Sequence, residues 1–162
     1  MSFQKRYRAF DCHDTSLNHS SSSLMTTLFC NIGWMENYRG QTKNDHILGG
    51  GAYVKANGMG REVCNFLPQN DVCFGYVQPP GANDAGEAQI RIEKLGATTD
   101  DSVDGITVIW TATRPDGGTV VVGWYKNATV YRRFQPFPVT PPVHHENGLQ
   151  GYWIKAAAAD VT

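Results

Sequence analysis

A chain of 162 residues is long enough for one domain with a sizeable core, and its 17 glycines among short β-rich segments favour a small barrel or sandwich. The formal net charge of −1 excludes a uniformly basic nucleic-acid binder. No run approaches the roughly 18 apolar residues of a membrane span, and the N-terminus lacks the apolar segment of a signal peptide. We therefore expect a cytoplasmic protein without a membrane partner.

Charge is unevenly distributed along the chain. Residues 83–104 carry six acidic and two basic residues, which leaves twelve basic and nine acidic residues for the rest. Any contact with a phosphate backbone is therefore expected from one face of the molecule and not from its overall field.

The residue types of catalytic and metal centres show no convincing arrangement. The four cysteines lack a C-x-x-C spacing, and three of them (Cys30, Cys64 and Cys73) stand in or beside apolar runs, where a thiol packs as a small hydrophobe. His144 and His145 precede too few residues for a nuclease module of the His-Asn-His type. The sequence therefore predicts a binding domain without a cofactor, a metal or a catalytic site in this chain.

The first 24 residues are polar and lack hydrophobic periodicity, so we expect a mobile N-terminal arm. Residues 26–34 are predicted to form the first strand. The loop GWMENYRG over residues 33–40 then brings Trp34, Asn37, Tyr38 and Arg39 within six positions. Aromatic, amide and cationic groups in one loop favour a ligand contact, and a glycine-bounded turn anchored by the tryptophan is the structural alternative.

Three consecutive glycines lie within residues 46–54 (HILGGGAYV) and allow the backbone to approach another surface closely. The segment is not a P-loop, because the required Lys and Ser/Thr are missing. A short helix is expected over residues 52–56.

Three further strands are predicted before the acidic segment ends. Residues 62–67 and 72–78 form two of them around a turn at residues 68–71. Residues 88–95 alternate apolar and charged side chains, which predicts a strand with one solvated face. Asn65 interrupts the first of these runs, and a buried amide there needs a hydrogen-bond partner, either backbone or the edge of a ligand.

The strongest local pattern is a hairpin of residues 105–113 and 119–125, joined by Pro-Asp-Gly-Gly. A two-residue turn places Trp110 and Tyr125 on one face and Trp124 on the other, because side chains alternate along a strand. A three-residue loop would instead pair Trp110 with Trp124. Residues 126–128 interrupt the apolar run and indicate a bulge or a barrel corner.

The last part of the chain is predicted to connect the domain to a downstream module. Residues 136–142 hold four prolines and indicate a linker or an extended edge. Residues 151–161 fit a last strand or, from their alanines, a helix. We therefore expect a reader domain over residues 25–135 and a connection over residues 136–162 that leads to a downstream module.

Taken together, GWMENYRG, GGGAYV, EVCNFLP, GYVQPPG and VVGWYKNATVYR resemble the N-terminal PUA-like modules that precede nuclease domains in modification-dependent restriction endonucleases. The chain is similar in kind to EVE and YTH domains over about residues 25–135. The resemblance implies a mainly β (α+β) fold, a small β-barrel with one or two short peripheral helices. It also implies double-stranded DNA as partner, with a modified base such as 5-methylcytosine or 5-hydroxymethylcytosine flipped into an aromatic pocket.

The chemistry of the residues agrees with this function, because an extruded base needs stacking, edge hydrogen bonds and phosphate contacts. Trp110 is assigned to the core, whereas Trp34 and Trp124 are assigned to the base pocket. The full pocket set is Trp34, Asn37, Tyr38, Asn65, Trp124, Tyr125 and Asn127. The predicted phosphate contacts are Arg39, Lys43, Arg61, Lys126, Arg132 and Arg133. An RNA-binding module of the same fold and a carbohydrate- or small-ligand-binding β-module remain the alternatives.

Overall fold

The structure, a computed structural model, describes residues 26–49, 54, 58–79, 88–97 and 99–162. Its strands are β1 (Thr27–Ile32), β2 (Pro68–Gln69), β3 (Val72–Gly75), β4 (Ser102–Thr113), β5 (Thr119–Pro136) and β6 (Gly151–Ala157). They form one mixed sheet in the order β1-β4-β5-β6-β3-β2. Helical structure in the described ranges comprises α1 (Pro142–Glu146), two 3₁₀ helices, Ile92–Leu95 and Ala158–Asp160, and the single described helical residue Val54. The mainly β class predicted from the sequence is confirmed.

The sheet is mixed because β1 pairs parallel with β4, whereas the other neighbours pair antiparallel. β1 and β2 stand at the two ends of the strand order, and no pairing between them occurs in the described part of the chain. Closure into a barrel stays a prediction. The predicted arm and the helix over residues 52–56 fall outside the described residues, apart from Val54, which is helical.

The predicted hairpin is confirmed. Thr113 lies opposite Thr119, and Arg114 N–H donates to Gly118 O at 3.0 Å, so residues 115–117 form a three-residue loop and the two-residue turn is wrong. Gly117 N–H also donates to Arg114 O at 3.0 Å. Gly117 and Gly118 both have positive φ, which glycine adopts without a steric penalty.

A bulge decides which residues of the hairpin share a face. Thr111 lies opposite Val121 but Trp110 lies opposite Gly123, so Val122 is an extra residue on β5. Trp110 and Tyr125 therefore point to one side of the sheet, and Trp124 points to the other. The predicted sidedness is confirmed, although the turn that was expected to produce it is wrong.

Two predicted strands are wrong. Residues 61–66 form turns, because their backbone bonds run locally or to distant loops: Leu67 N–H donates to Cys64 O and Phe66 N–H donates to Tyr38 O, both at 3.0 Å. Residues 88–95 contain the 3₁₀ helix Ile92–Leu95 in place of a strand. Ile92 and Leu95 are its buried residues, and a spacing of three places them on one side of a 3₁₀ helix.

The sheet does not stop at position 135. β6 lies between β5 and β3, with Ile154 opposite Val130 on one side and opposite Gly75 on the other. β2 and β3 form a hairpin whose two connecting residues, Asn70 and Asp71, both have positive φ, the geometry of a type I′ turn. The strand alternative for residues 151–161 is thus confirmed for residues 151–157.

The two faces of the sheet differ. We call the face that carries Val108, Trp110, Tyr125, Val130 and Ile154 the inner face, and all five of these side chains are fully buried. The opposite, outer face carries half-buried and exposed side chains along β1, β4 and β5. No helix among the described residues is long and apolar enough to cross a membrane.

Candidate functional site

Three of the seven predicted pocket residues lie in the closed core. Tyr38, Asn65 and Tyr125 are each almost fully buried. The Tyr38 hydroxyl donates to Gly33 O at 2.7 Å, and the Tyr125 hydroxyl donates to Asn65 O. Since both hydroxyls have buried carbonyl partners, the structure places them in the fold and not at a surface.

The amide of Asn65 binds backbone, which decides between the two partners left open by the sequence. Its Nδ2 donates to Tyr76 O at 3.1 Å, and its Oδ1 accepts from Tyr76 N–H at 2.9 Å. The side chain thereby pairs with Tyr76 as a neighbouring strand would, and it compensates for the missing strand over residues 62–67.

An aromatic column lines the inner face. Ring centres are 5.3 Å apart for Trp110 and Tyr125, 5.8 Å for Tyr125 and Phe66, and 5.6 Å for Phe66 and Tyr38. Burial raises the pKa of Tyr38 to about 12, and burial also raises the pKa of Tyr125. Both phenols therefore stay protonated hydrogen-bond donors at neutral pH.

Two glycines leave room for this column. A Cβ at Gly75 would lie 2.7 Å from the Trp110 ring, and a Cβ at Gly123 would lie 2.5 Å from the Phe66 ring. Neither ring can move far in a close-packed interior. The inner face is therefore filled by its own side chains.

Trp34 and Asn37 lie in a second place, the loop after β1. Trp34 is half-buried and exchanges two backbone hydrogen bonds of 2.8 Å with Leu48. The Asp45 carboxylate organises the next residues, accepting from the Glu36 and Asn37 backbone N–H groups at 2.9 Å and from Asn37 Nδ2 at 3.1 Å. Asn37 is exposed, but its side-chain amide donates within the loop.

The remaining two pocket residues, Trp124 and Asn127, lie on β5. Trp124 occupies the outer face and is half-buried, while its backbone exchanges hydrogen bonds with Thr162 at 2.8 and 3.0 Å. Asn127 has a φ of 48° and forms a bulge with Lys126 opposite β4, and both side chains are exposed. Trp124, Lys126 and Asn127 therefore come together on one accessible surface.

The register adds two residues that sequence reasoning missed. Phe29 lies opposite Ile109 and Ile109 lies opposite Trp124, so the three form a row across β1, β4 and β5 on the outer face. We call it the Trp124 row. Phe29 is 69% exposed, which is unusual for a large aromatic side chain in a strand. The alternation of side chains along β1 could have indicated that Phe29 faces away from the core, but only the pairing of β1 with β4 places Phe29 beside Trp124.

The predicted phosphate contacts differ in availability. Arg132 Nη1 forms an ion pair with Glu93 at 2.9 Å, and its guanidinium also donates to Asp100 O at 3.3 Å. Arg61 is exposed with its guanidinium 5.8 Å from the centre of the Tyr76 ring. The other four cations are exposed: Arg39, Lys43, Lys126 and Arg133.

Arg132 therefore links the acidic segment to β5. Its backbone N–H also donates to Asp101 O at 2.7 Å. Lys126 stands on the outer face next to Trp124, which makes it the phosphate candidate closest in register to the Trp124 row.

The described thiols and histidines do not form a reactive centre. Cys30, Cys64 and Cys73 are buried free thiols, and burial raises the pKa of Cys30 and of Cys64 to about 12. A protonated buried thiol is a poor nucleophile and a poor metal ligand. Within the described ranges, no group of three or more His, Cys, Asp or Glu residues could hold a metal ion.

Comparison of the chain with protein-family models, with curated proteins and with solved structures found no match. The Trp124 row and its flanking Lys126 and Asn127 therefore have to be interpreted from their own chemistry.

Proposed function

We propose that this chain binds DNA through the outer face of its sheet and stacks a modified cytosine that has left the base stack against Trp124. One observation carries the proposal. A half-buried tryptophan stands in an apolar row beside an exposed lysine and an exposed asparagine, on a face of the sheet that the described residues leave accessible.

The groups of this surface match the needs of an extruded base. Extrusion costs a few kcal/mol, and stacking on an aromatic side chain returns roughly 1–3 kcal/mol per base. Trp124 supplies the stacking, Asn127 the edge hydrogen bonds and Lys126 a phosphate contact. The free energy gained by stacking is about equal to the free energy needed to extrude the base. Hydrogen bonds to the edge of the base are therefore needed for tight binding.

The apolar part of the row supports discrimination of a 5-substituted cytosine. A 5-methyl group is recognised through apolar contact, as the thymine methyl group is in DNA grooves. Ile109 is adjacent to Trp124 in register and half-buried, so its side chain is placed to meet such a group. The resemblance to modified-base readers supports the same ligand class.

The test is a binding comparison of one duplex with and without a single 5-methylcytosine or 5-hydroxymethylcytosine, together with single-stranded RNA and single-stranded DNA of the same sequence. Trp124→Ala should weaken binding to the modified duplex by roughly 1–3 kcal/mol. Trp34→Ala is the control, because Trp34 is the other tryptophan assigned to the pocket from the sequence and lies in the loop after β1.

Equal affinity for the unmodified and the modified duplex would show that the chain does not recognise the modified base. Equal losses of affinity in the two tryptophan variants would show that the outer face is not the binding site. Preference for the RNA strand over both duplexes and over the matching DNA strand would favour the RNA-binding alternative, which uses the same stacking chemistry.

A further inference from the structure

A second aromatic group lies on the outer face, about Tyr152. Its ring centre is 4.7 Å from Phe74, 5.4 Å from Phe137 and 5.8 Å from Tyr131. We call these four residues the Tyr152 cluster. All four side chains are half-buried, so they are neither core nor fully solvated.

The strand register places this cluster on the same face as the Trp124 row. Phe74 lies opposite Lys155, and Lys155 lies opposite Thr129, with the neighbouring positions of all three strands buried in the core. Tyr131 follows Thr129 by two residues and therefore shares its face. No pocket residue predicted from the sequence belongs to this cluster.

Polar groups of both signs border the rings. Lys155 Nζ is 5.6 Å from the centre of the Tyr131 ring, and a hydrogen bond with Tyr131 raises the pKa of Lys155, which keeps the ammonium charged. Thr129 Oγ1 donates to the Asp104 carboxylate at 2.6 Å. An ammonium suits a phosphate, and a carboxylate accepts from the exocyclic amino group of a base.

His144 adds an independent observation. It is fully buried, with ring centres 5.4 Å from Phe137 and 6.2 Å from Phe74. Neither of its nitrogens has a hydrogen-bond partner among the described residues. A buried polar group without a partner is costly, so an imidazole that the described residues leave unsatisfied lies against the rings of the cluster.

The distance between the two aromatic sites defines the ligand. Trp124 and Tyr131 lie on one strand and one face, and at about 3.3 Å per residue they are on the order of 20 Å apart. Lys126 and Thr129 stand between them on the same face. One extruded base cannot reach both sites, whereas an extended strand of several nucleotides can.

We infer that the Tyr152 cluster, with Lys155 and Asp104, is a second nucleobase site, and that the ligand is a single-stranded DNA segment running along β5 from Trp124 to Tyr152. The inference rests on the proposed function, which supplies DNA as the ligand. It adds that the strand is unpaired over several nucleotides and not at one extruded base.

The experiment uses the full chain and three fluorescent ligands: a modified duplex, the same duplex with an unpaired region of about twelve nucleotides, and the corresponding single strand. The wild-type chain should bind the last two at least about fivefold more tightly than the closed duplex, because a second stacked base contributes. Lys155→Gln and Tyr152→Leu should remove this gain while binding to the closed duplex stays unchanged.

Lys94→Gln, in the 3₁₀ helix Ile92–Leu95, is the matched control for a lost surface cation and should behave as wild type. Tyr152→Leu keeps an apolar side chain between Phe74 and Phe137, and its unfolding midpoint shows whether the fold is intact. Lys155→Gln carries the test if Tyr152→Leu is unstable, since Lys155 is half-exposed.

Equal affinity of the wild-type chain for closed and opened DNA would overturn the inference while leaving the role of Trp124 intact. Unchanged single-strand affinity in Lys155→Gln and in folded Tyr152→Leu would overturn it as well. Tighter binding of the matching RNA strand would overturn the assignment to DNA. Loss of Trp124→Ala sensitivity on every ligand would instead overturn the proposed function.

Discussion

The inner and outer faces of the sheet carry the same kinds of aromatic residue under different conditions. On the inner face, Trp110 and Tyr125 stack edge to face and are fully buried. On the outer face, Trp124 is only partly buried although it directly precedes Tyr125 in the chain. Residue type therefore does not separate buried from accessible aromatics, whereas position in the strand register does.

The two faces also differ in what satisfies their polar atoms. The inner phenols of Tyr38 and Tyr125 donate to the carbonyls of Gly33 and Asn65. On the outer face, the polar groups beside the rings are the charged Lys155 and Asp104 and the exposed Lys126. The two inner phenols are satisfied within the fold, whereas the outer face carries charged side chains.

The largest expected effect separates the two tryptophans by stability. Trp110→Ala should lower the free energy of unfolding by about 3–5 kcal/mol, because it leaves a large cavity against Tyr125 and Gly75. Trp124→Ala should cost less than Trp110→Ala, because the Trp124 side chain lies on the outer face and is only partly buried. Urea unfolding of both variants measures the difference, and a larger loss for Trp124→Ala would reverse the assignment of the faces.

The next effect concerns the amide that substitutes for a strand. Asn65→Ala leaves the N–H and the carbonyl of Tyr76 without their partners, at about 1–3 kcal/mol for each buried group. Asn37→Ala is the control, because its amide donates to Asp45 at an exposed position. Equal unfolding midpoints for the two variants would show that the bonds between Asn65 and Tyr76 do not stabilise the fold.

A smaller, pH-dependent effect is expected beneath the Tyr152 cluster. Burial lowers the pKa of His144 below its ordinary value of 6.5, so the folded chain holds the neutral imidazole. The unfolded chain binds this proton more readily, so the stability contribution is complete above pH 6.5 and declines as pH falls through the folded pKa. The slope in this window reaches about 1.4 kcal/mol per pH unit.

Urea unfolding between about pH 7 and pH 5 measures this slope. His144→Phe should flatten it, while replacement of the exposed neighbour, His145→Gln, should leave it as in wild type. An identical slope in His144→Phe would assign the acid sensitivity to other groups.

The smallest expected effect distinguishes an exposed cation from a cation that is held in an ion pair. Lys126→Ala should lower the log–log salt slope of DNA binding by about one unit, which corresponds to roughly three- to fourfold in affinity between 50 mM and 200 mM salt. Arg132→Ala should mainly lower stability, because the guanidinium is held by Glu93 and by Asp100 O. Salt titrations of both variants decide this, and a larger slope change for Arg132→Ala would place that residue on DNA.

The hairpin illustrates what local pattern predicts well. Its β-branched and aromatic runs and its glycine-rich turn are contiguous in the chain, so β4, β5 and the burial of Trp110 could be predicted. Residues 62–67 illustrate the opposite case. They are as apolar as a strand, but the partners of their backbone and of Asn65 are Tyr38 and Tyr76, and no local pattern reveals those distant bonds.

The candidate sites show the same division. The sequence by itself determined that the chain is mainly β, that Trp110 lies in the core and that Trp124 faces away from it, because alternation along a strand is a local property. Only the tertiary structure decided that Phe29 and Ile109 flank Trp124, and that Phe74, Tyr131, Phe137 and Tyr152 form one cluster. Those neighbours come from strands far apart in the chain, and a register between distant strands follows from their joint packing against one core.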